Sequence, residues 1–297
     1  MLLSEITSLL PILYEDNHIV VVVKPRNIPS QEDKTGDLDM LSILKDYLKQ
    51  KYQKPGNVYL GLVHRLDRPT GGVMVFAKTD KAAARLSEQI RAGEVQKKYF
   101  ALAVGAPREK QGRLTHYLTK DERNNMVKAH VAAVKDSKIA VLDYKVLDFT
   151  QDLSLIDVDL ITGRSHQARV QLAALGTPIY GDHRYGAQAS LATKNEKRKT
   201  KNGGLNQITN YKLQITNVDE RTERLIKTEF PIYQKTDSPP PIPHPPSPKH
   251  LALWAYMLTF THPVTKKTMV FKAFPPDETP WTLFSFEKFM NIAKPSD

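Results

Sequence analysis

The sequence of 297 residues contains no cysteine. Disulfide bonds, thiolate metal sites and cysteine nucleophiles are therefore excluded, and the absence fits a reducing cytoplasm. No run of about 18 uncharged apolar residues is present, so we expect no membrane span. The first 18 residues contain an early glutamate and no basic segment, which argues against a secretory signal. We expect a cytoplasmic protein that has no membrane partner.

Positive charge is in excess. The chain has 43 Lys and Arg against 32 Asp and Glu, a formal net charge of +11. Such a surplus favours polyanionic partners, because each phosphate that a cation neutralises releases counterions. The alternative is a single solvated basic tail. Residues 187–250 hold 11 Lys and Arg against 6 Asp and Glu, so that segment does not account for the whole surplus.

Residues 187–250 differ in composition from the rest of the chain. They contain KNEKRKTKNGG, the near-repeat QITNYKLQITN and the proline-rich SPPPIPHPPSP. Charged, glycine-containing stretches favour flexibility, and proline runs favour polyproline II. The proline run resembles ligands of aromatic-lined grooves, but we interpret the segment as a spacer. We expect a single domain over residues 1–297, interrupted at about 187–250 by a basic, flexible insertion.

Hydrophobic periodicity predicts many strands with helices between them. Strands are predicted in pairs at 12–24, 141–160 and 251–274, and singly at 59–63, 73–77 and 97–104. Helices are predicted at 37–52, at 81–90 with Asp80 as N-cap, at 167–175 ending at Gly176, and at 281–293. Because these elements do not alternate in strict βαβ order, we expect an α+β fold with a mixed, largely antiparallel sheet flanked by helices.

The stretch HRLDRPTGG places Asp67 directly after a predicted strand, between Arg65 and Arg68. Functional residues often lie on such loops. The two arginines are expected to hold the carboxylate ionised, which suits a nucleophile better than a general acid. The alternative is an aspartate that caps a turn and forms surface ion pairs. A metal site built from His64, Asp67 and His166 matches no zinc signature, so no metal is expected.

The stretch LITGRSHQARVQ brings Arg164, His166 and Arg169 close to the start of a predicted helix. Backbone N–H groups at a helix N-terminus favour anions, so these side chains indicate an anion site. The alternative is that they cap the helix and pair with surface acids.

The stretch KKYFA places Lys97 and Lys98 beside Tyr99. Lysines next to aromatic residues can bind a phosphate and stack a base. The alternative is that this strand only contributes to the core.

Taken in order, HRLDRPTGG, KKYFA and TGRSHQARVQLAALGTPIYGDHRYG resemble the RluA-type pseudouridine synthases. The resemblance covers about residues 12–186 and 251–276. It implies a pseudouridine-synthase-like catalytic domain with a central RNA-binding cleft. It also implies conversion of specific uridines in structured RNA (rRNA or tRNA) to pseudouridine. No cofactor is implied, since the isomerisation involves no net redox change or hydrolysis.

The resemblance also implies individual roles. Asp67 matches the essential aspartate, which either attacks the sugar or assists a glycal route. Tyr99 matches the tyrosine that stacks on the target base, and Arg169 matches the arginine that pairs with the catalytic carboxylate. Arg65 matches the arginine that displaces the target nucleotide from its stack. The further residues expected to contact RNA are His64, Arg68, Lys98, Arg164 and His166.

The sequence departs from the family pattern at three positions. Gly71 replaces the usual serine of Thr-Ser-Gly, and Ala168 and Gln171 stand where a larger aliphatic residue and often a histidine are common. We expect a monomer of the form without an N-terminal S4 domain. The alternative function is a catalytically silent RNA-binding or RNA-folding protein on the same scaffold. A phosphate-handling hydrolase has neither a metal-ligand set nor a phosphate loop to support it.

Overall fold

The computed structural model describes residues 10–150, 152–186 and 250–290. The predicted insertion, apart from His250, lies outside the described residues. The described strands are β1 (Ile12–Glu15), β2 (Ile19–Lys24), β3 (Gly61–Leu62), β4 (Gly71–Ala77), β5 (Gln96–Val104), β6 (Gln111–Asp121), β7 (Met126–His130), β8 (Lys138–Thr150), β9 (Leu153–Leu160), β10 (Leu253–Thr261) and β11 (Thr268–Lys272). The helices are α1 (Met40–Lys51), α2 (Asp80–Arg91), α3 (Gln167–Ala174), a 3₁₀ turn (Trp281–Leu283) and α4 (Glu287–Met290).

These strands form one sheet of 11 strands in the order β1-β2-β4-β10-β5-β9-β8-β6-β7, with β3 beside β4 and β11 beside β10. Among the described pairings only β4 with β10 is parallel. It is short, joining Trp254 and Ala255 to the glycines that begin β4. The α+β fold with a mixed, largely antiparallel sheet is confirmed.

The apolar run of β2 separates two cores, because successive strand side chains point to opposite faces. Val20 and Val22 pack in the larger core with α1, whereas Ile19 and Val21 pack in a second core with α2. A strand buried on both faces needs apolar residues at every position, which explains the unbroken β-branched run.

The helix ends follow from local chemistry, with one correction. Asp39 caps α1 by accepting from the N–H groups of Leu41 and Ser42. The predicted Asp80 cap is wrong: the Thr79 side chain accepts from the Ala82 N–H, and Asp80 is the first helical residue. A carboxylate in the first turn also interacts favourably with the helix dipole, which is why the two positions look alike in sequence. Among the described helices, none is long and apolar enough to span a membrane.

The prediction of one helix over residues 281–293 is wrong within its described part. The 3₁₀ turn and α4 are separated by Phe284, whose backbone is extended. Trp281, Phe284 and Phe286 are all buried in the larger core, and one continuous helix would not direct all three side chains there. The hairpin β6–β7 was not predicted, because the inward face of β6 has only two apolar residues, Leu114 and Leu118, with His116 between them.

Glu15 links three elements of the fold. Its side chain is 6% exposed and accepts hydrogen bonds from Lys51 (2.7 Å), Lys78 (2.7 Å), Tyr52 (2.7 Å) and Tyr47 (2.9 Å). Burial alone would raise the pKa of Glu15, but the four donors outweigh it and lower the pKa to about 2. The carboxylate thereby joins β1 to α1 and to the end of β4.

Candidate active site

Asp67 lies in the turn between β3 and β4. The preceding residue, Leu66, is buried, and its carbonyl accepts from the Ser30 hydroxyl at 2.8 Å. On the other side, the Thr70 N–H donates to the Asp67 carbonyl at 2.9 Å. The backbone is therefore held on both sides of the aspartate. The Asp67 side chain remains 26% exposed and lines a cavity of about 400 Å³.

A buried lysine supports the same turn. Lys24, at the end of β2, donates to the carbonyls of Pro25 (2.9 Å), Arg68 (3.1 Å) and Thr70 (2.7 Å). All three ammonium donors thus have an acceptor. Burial lowers the pKa of Lys24 to about 7, although the Asp67 charge opposes this. Lys24 connects the strand end to the backbone that follows the catalytic candidate.

Arg169 on α3 is shared between two carboxylates. Its Nε and Nη2 each donate at 2.8 Å to the Asp182 side chain, which is fully buried. Its Nη1 lies 3.5 Å from Asp67 Oδ2. Asp182 also accepts from the backbone N–H groups of Arg184 and Tyr185, both at 3.1 Å. The bidentate pair fixes the plane of the guanidinium, and the remaining edge faces Asp67.

His166 and Tyr185 form a second connection to Asp67. The Val127 N–H donates to the Tyr185 hydroxyl oxygen at 3.0 Å, and this oxygen lies 2.7 Å from His166 Nδ1. We assign the tyrosine proton to that contact, which leaves Nε2–H facing Asp67 Oδ2 at 3.9 Å. Burial lowers the pKa of His166, with Asp67 opposing, so the ring is neutral at pH 7. His166 also has a left-handed backbone (φ 52°), which is uncommon for a residue with a side chain.

Tyr99 on β5 completes the group. It is 7% exposed, and burial together with the Asp67 charge raises the pKa of its hydroxyl. The phenol therefore keeps its proton at neutral pH. The structure brings Asp67, Tyr99 and Arg169 into one site from three separate segments of the chain.

The arginines that flank Asp67 in sequence do not hold its carboxylate. Arg68 forms an ion pair with Asp37, on the loop before α1. Arg65 is exposed at the cavity and makes no hydrogen bond or ion pair with another described residue. The cation nearest to the Asp67 side chain is Arg169, which is distant in sequence. Neither flanking arginine forms an ion pair with Asp67 among the described residues, although both line the same cavity.

His64 faces the protein backbone. The Val75 N–H donates to His64 Nε2 at 3.1 Å. Burial and, to a smaller extent, the charge of Lys97 lower the pKa of His64 to about 3, so it is a neutral acceptor. Within residues 10–150, 152–186 and 250–290 no three His, Asp or Glu side chains are grouped to hold a metal ion. The metal-site alternative with His166 gains no support from this geometry.

Lys98 and Arg164 also contact the protein. Lys98 Nζ lies 3.2 Å from Asp157, on the face of β5 opposite to Tyr99. Arg164 Nε donates to a backbone carbonyl of β8 at 3.0 Å. The RNA contacts predicted for these two residues stay predictions. The lysine that shares the face of Tyr99 is Lys97.

Comparison with known proteins identifies the family. The family model described as RNA pseudouridylate synthase matches residues 18–174. The chain belongs to the RNA pseudouridylate synthase family. It is 35% identical over 200 residues to the uncharacterized RNA pseudouridine synthase YhcT of Bacillus subtilis, covering 64% of each chain. It is 35% identical over 176 residues to ribosomal large subunit pseudouridine synthase C of Rickettsia prowazekii, covering 59% of this chain and 56% of that one.

Solved structures of the family agree with the fold. The structure of human RNA pseudouridylate synthase domain containing 4 superposes with a TM-score of 0.61 at 25% identity, covering 93% of this chain and 91% of that one. Human RNA pseudouridylate synthase domain containing 1 has a TM-score of 0.56 at 21% identity, covering 90% and 83%, and supports the fold alone. The match to the curated relatives named above spans less than two thirds of their length.

In this family member, sequence analysis missed several residues that build the site. Asp182 and Tyr185 lie in GDHRYG, a motif that carried the resemblance but received no role. Lys24 gave one signal, a charged residue at the end of a buried apolar strand. Each acts on Asp67 through another group or through the backbone, and such contacts have no fixed spacing in sequence.

Proposed function

We propose that this chain converts specific uridines in RNA to pseudouridine. The observation that carries the proposal is the Asp67 carboxylate, which is open to a cavity, lies 3.5 Å from Arg169 and is near enough to Tyr99 for its charge to raise the pKa of that hydroxyl. A cavity of about 400 Å³ falls in the range of small-molecule sites and can hold one flipped-out nucleoside. Family membership supports the same reaction.

In the proposed reaction Asp67 acts on the flipped-out nucleoside. The bond between uracil N1 and the sugar C1′ breaks, the base turns, and a bond from C5 to C1′ forms. The C5 proton is lost and N1 gains a proton, so the product is an isomer of the substrate. Asp67 either attacks the sugar or assists a glycal route. Arg169 stabilises its carboxylate in both cases.

The other residues receive roles that fit their surroundings. Tyr99 stacks on the target base, for which a neutral phenol is suited. Arg65, exposed at the cavity and without a described partner, displaces the target nucleotide. Contacts to RNA from His64, Arg68, Lys98, Arg164 and His166 remain predictions; of these, Arg68 and His166 line the cavity.

We infer that the substrate is a structured RNA, either rRNA or tRNA. The name of the Rickettsia relative, a ribosomal large subunit pseudouridine synthase, supports rRNA. A single catalytic domain, a monomeric state and a cytoplasmic location also remain predictions, and gel filtration of the full chain tests the second.

Asp67→Asn tests the assignment. We expect it to abolish pseudouridine formation while RNA binding remains, because the amide keeps the shape of the carboxylate but cannot act as a nucleophile or base. Pseudouridines are mapped in RNA from three kinds of cell: cells that lack the gene, cells with the unsubstituted gene and cells with the variant gene. The matched control is Asp143→Asn, an exposed carboxylate on β8.

Two outcomes would contradict the proposal. Full activity of Asp67→Asn would remove the role of Asp67. If no pseudouridine is lost without the gene, the silent RNA-binding alternative would be favoured.

A further inference from the structure

Lys97 lies on the same face of β5 as Tyr99. Side chains alternate along a strand, so residues 97 and 99 share one face and Lys98 points to the other. The pairing of β5 with β9 is regular from Lys98 onward, which preserves this alternation. Two residues along a strand span about 7 Å. Lys97 therefore lies one step along the strand from the candidate active site.

The Lys97 ammonium has no anionic partner in the described part of the chain. The residue is mostly buried, and burial lowers the pKa of its side chain. No hydrogen bond or ion pair joins Lys97 to another described residue. Its neighbour His64 is neutral and accepts from the backbone. The ammonium is not one of the fully buried polar atoms of the described residues, so it reaches solvent and can bind an anionic ligand that supplies the missing negative charge.

Gly163 leaves space at the same place. A Cβ on Gly163 would lie 3.1 Å from Lys97 Nζ, closer than most carbon contacts. Gly163 does not have a positive φ, so its backbone conformation does not require glycine. Its N–H also makes no hydrogen bond to any residue that the structure describes. Lys97 and Gly163 are thus close together, and Gly163 is exposed, so a ligand from solution can reach its N–H.

We propose that Lys97 and the Gly163 N–H bind a backbone phosphate of the RNA next to the flipped-out nucleotide. Phosphate is the anionic group of RNA, and contacts to it position the strand without reading its sequence. The bound phosphate would hold the RNA in place while Asp67 acts on the neighbouring nucleoside. This inference rests on the proposed function.

Lys288 on α4 provides the control, because its ammonium is already paired with Asp148 and no RNA contact is predicted for it. Binding of a short fluorescent oligouridylate is measured by anisotropy over a range of KCl concentrations, with all variants in the Asp67→Asn background. Lys97→Met is expected to lower affinity roughly tenfold, as for loss of one charge-assisted hydrogen bond. It should also reduce the slope of log affinity against log salt by about 0.7, the value for one phosphate of a single strand. Lys288→Met should change neither quantity, and Lys97→Arg should restore both.

A second arm identifies the group that Lys97 binds. An RNA hairpin that contains a mapped uridine is made with one uncharged methylphosphonate linkage, either 5′ or 3′ of that uridine. At the linkage that Lys97 contacts, Lys97→Met should cause no further loss of affinity, because the interaction is already absent. In the active protein, in which Asp67 is unchanged, Lys97→Met should raise KM for pseudouridine formation and leave kcat nearly unchanged. This is the result expected when a contact stabilises the bound substrate and the transition state equally.

Three results would overturn the proposal. The first is an unchanged salt slope in Lys97→Met, and the second is an equal loss of affinity in Lys288→Met. The third is a tenfold loss that persists at both uncharged linkages, which would indicate a contact to base or sugar. If the unsubstituted protein forms no pseudouridine, the proposed function fails, and the oligouridylate arm still tests the phosphate site.

Discussion

Asp182→Asn is expected to destabilise the fold far more than the same change at Asp143. Both aspartates accept two hydrogen bonds from one arginine, at 2.8 and 2.8 Å from Arg169 and at 2.7 and 2.8 Å from Arg113. The pairs differ in burial. The side chains of Asp182 and Arg169 are 0% and 8% exposed, whereas those of Asp143 and Arg113 are 41% and 62% exposed.

The expected magnitudes follow from this difference. Removing one charge from a buried ion pair costs about 3–5 kcal/mol, because the other charge is left without compensation. Asparagine keeps one oxygen that can accept from Arg169, so we expect the lower end, about 3 kcal/mol. An exposed pair contributes only about 0–1 kcal/mol, because water screens both charges.

Urea unfolding of the unsubstituted chain and both variants measures the free energy of unfolding from the midpoint and slope. Equal losses in the two variants would refute the argument from burial. The same proteins are assayed for pseudouridine formation under conditions where they are folded. Asp182→Asn should lower kcat, since the guanidinium of Arg169 is no longer fixed against Asp67, and Asp143→Asn should not. An unchanged kcat in folded Asp182→Asn would show that Asp182 does not position Arg169.

Two further substitutions test other parts of the network. Because the pKa of Glu15 in the folded state, about 2, lies below its ordinary value of 4.5, its stabilisation is complete above about pH 4.5 and is lost as the pH falls towards 2. Glu15→Gln should therefore lower the free energy of unfolding by about 2 kcal/mol at pH 7 and by less than about 1 kcal/mol at pH 3. Both values are reduced to allow for solvent screening. The exposed control Glu94→Gln should show no such trend, and a pH-independent deficit at Glu15 would contradict the argument. Tyr185→Phe leaves the buried Val127 N–H without an acceptor and should lower the free energy of unfolding in urea by about 1–3 kcal/mol. It should also reduce kcat, because His166 loses the hydrogen bond that fixes its tautomer. A variant as stable and active as the unsubstituted protein would exclude this role of Tyr185.

Local sequence patterns correctly predicted the elements that depend mainly on neighbouring residues in the chain. β2 was predicted from its β-branched run, α1 from its apolar stripe, and the end of α3 from Gly176, whose φ is 92°. β6 escaped prediction because its inward face has few apolar residues, and much of its stability comes from pairing with the two neighbouring strands. The predicted closing helix failed because burial of its aromatic residues outweighed helical periodicity.

The candidate site divides in the same way. The order of the motifs identified Asp67, Tyr99 and Arg169, and the structure places them together. The sequence alone could not show whether Lys97 or Lys98 faces the site, because the two residues are identical and adjacent. The register of β5 against its neighbours determines which one faces the site.

By itself, the sequence determined the family, the class of fold and the three residues expected to carry the chemistry, because these depend on residue type and order. Only the tertiary structure showed that Arg169 is shared between Asp67 and Asp182, that Lys24 supports the turn that contains Asp67, and that Lys97 has no partner among the described residues. Which charges are compensated depends on distances between side chains far apart in the chain, and those distances exist only after the sheet has assembled.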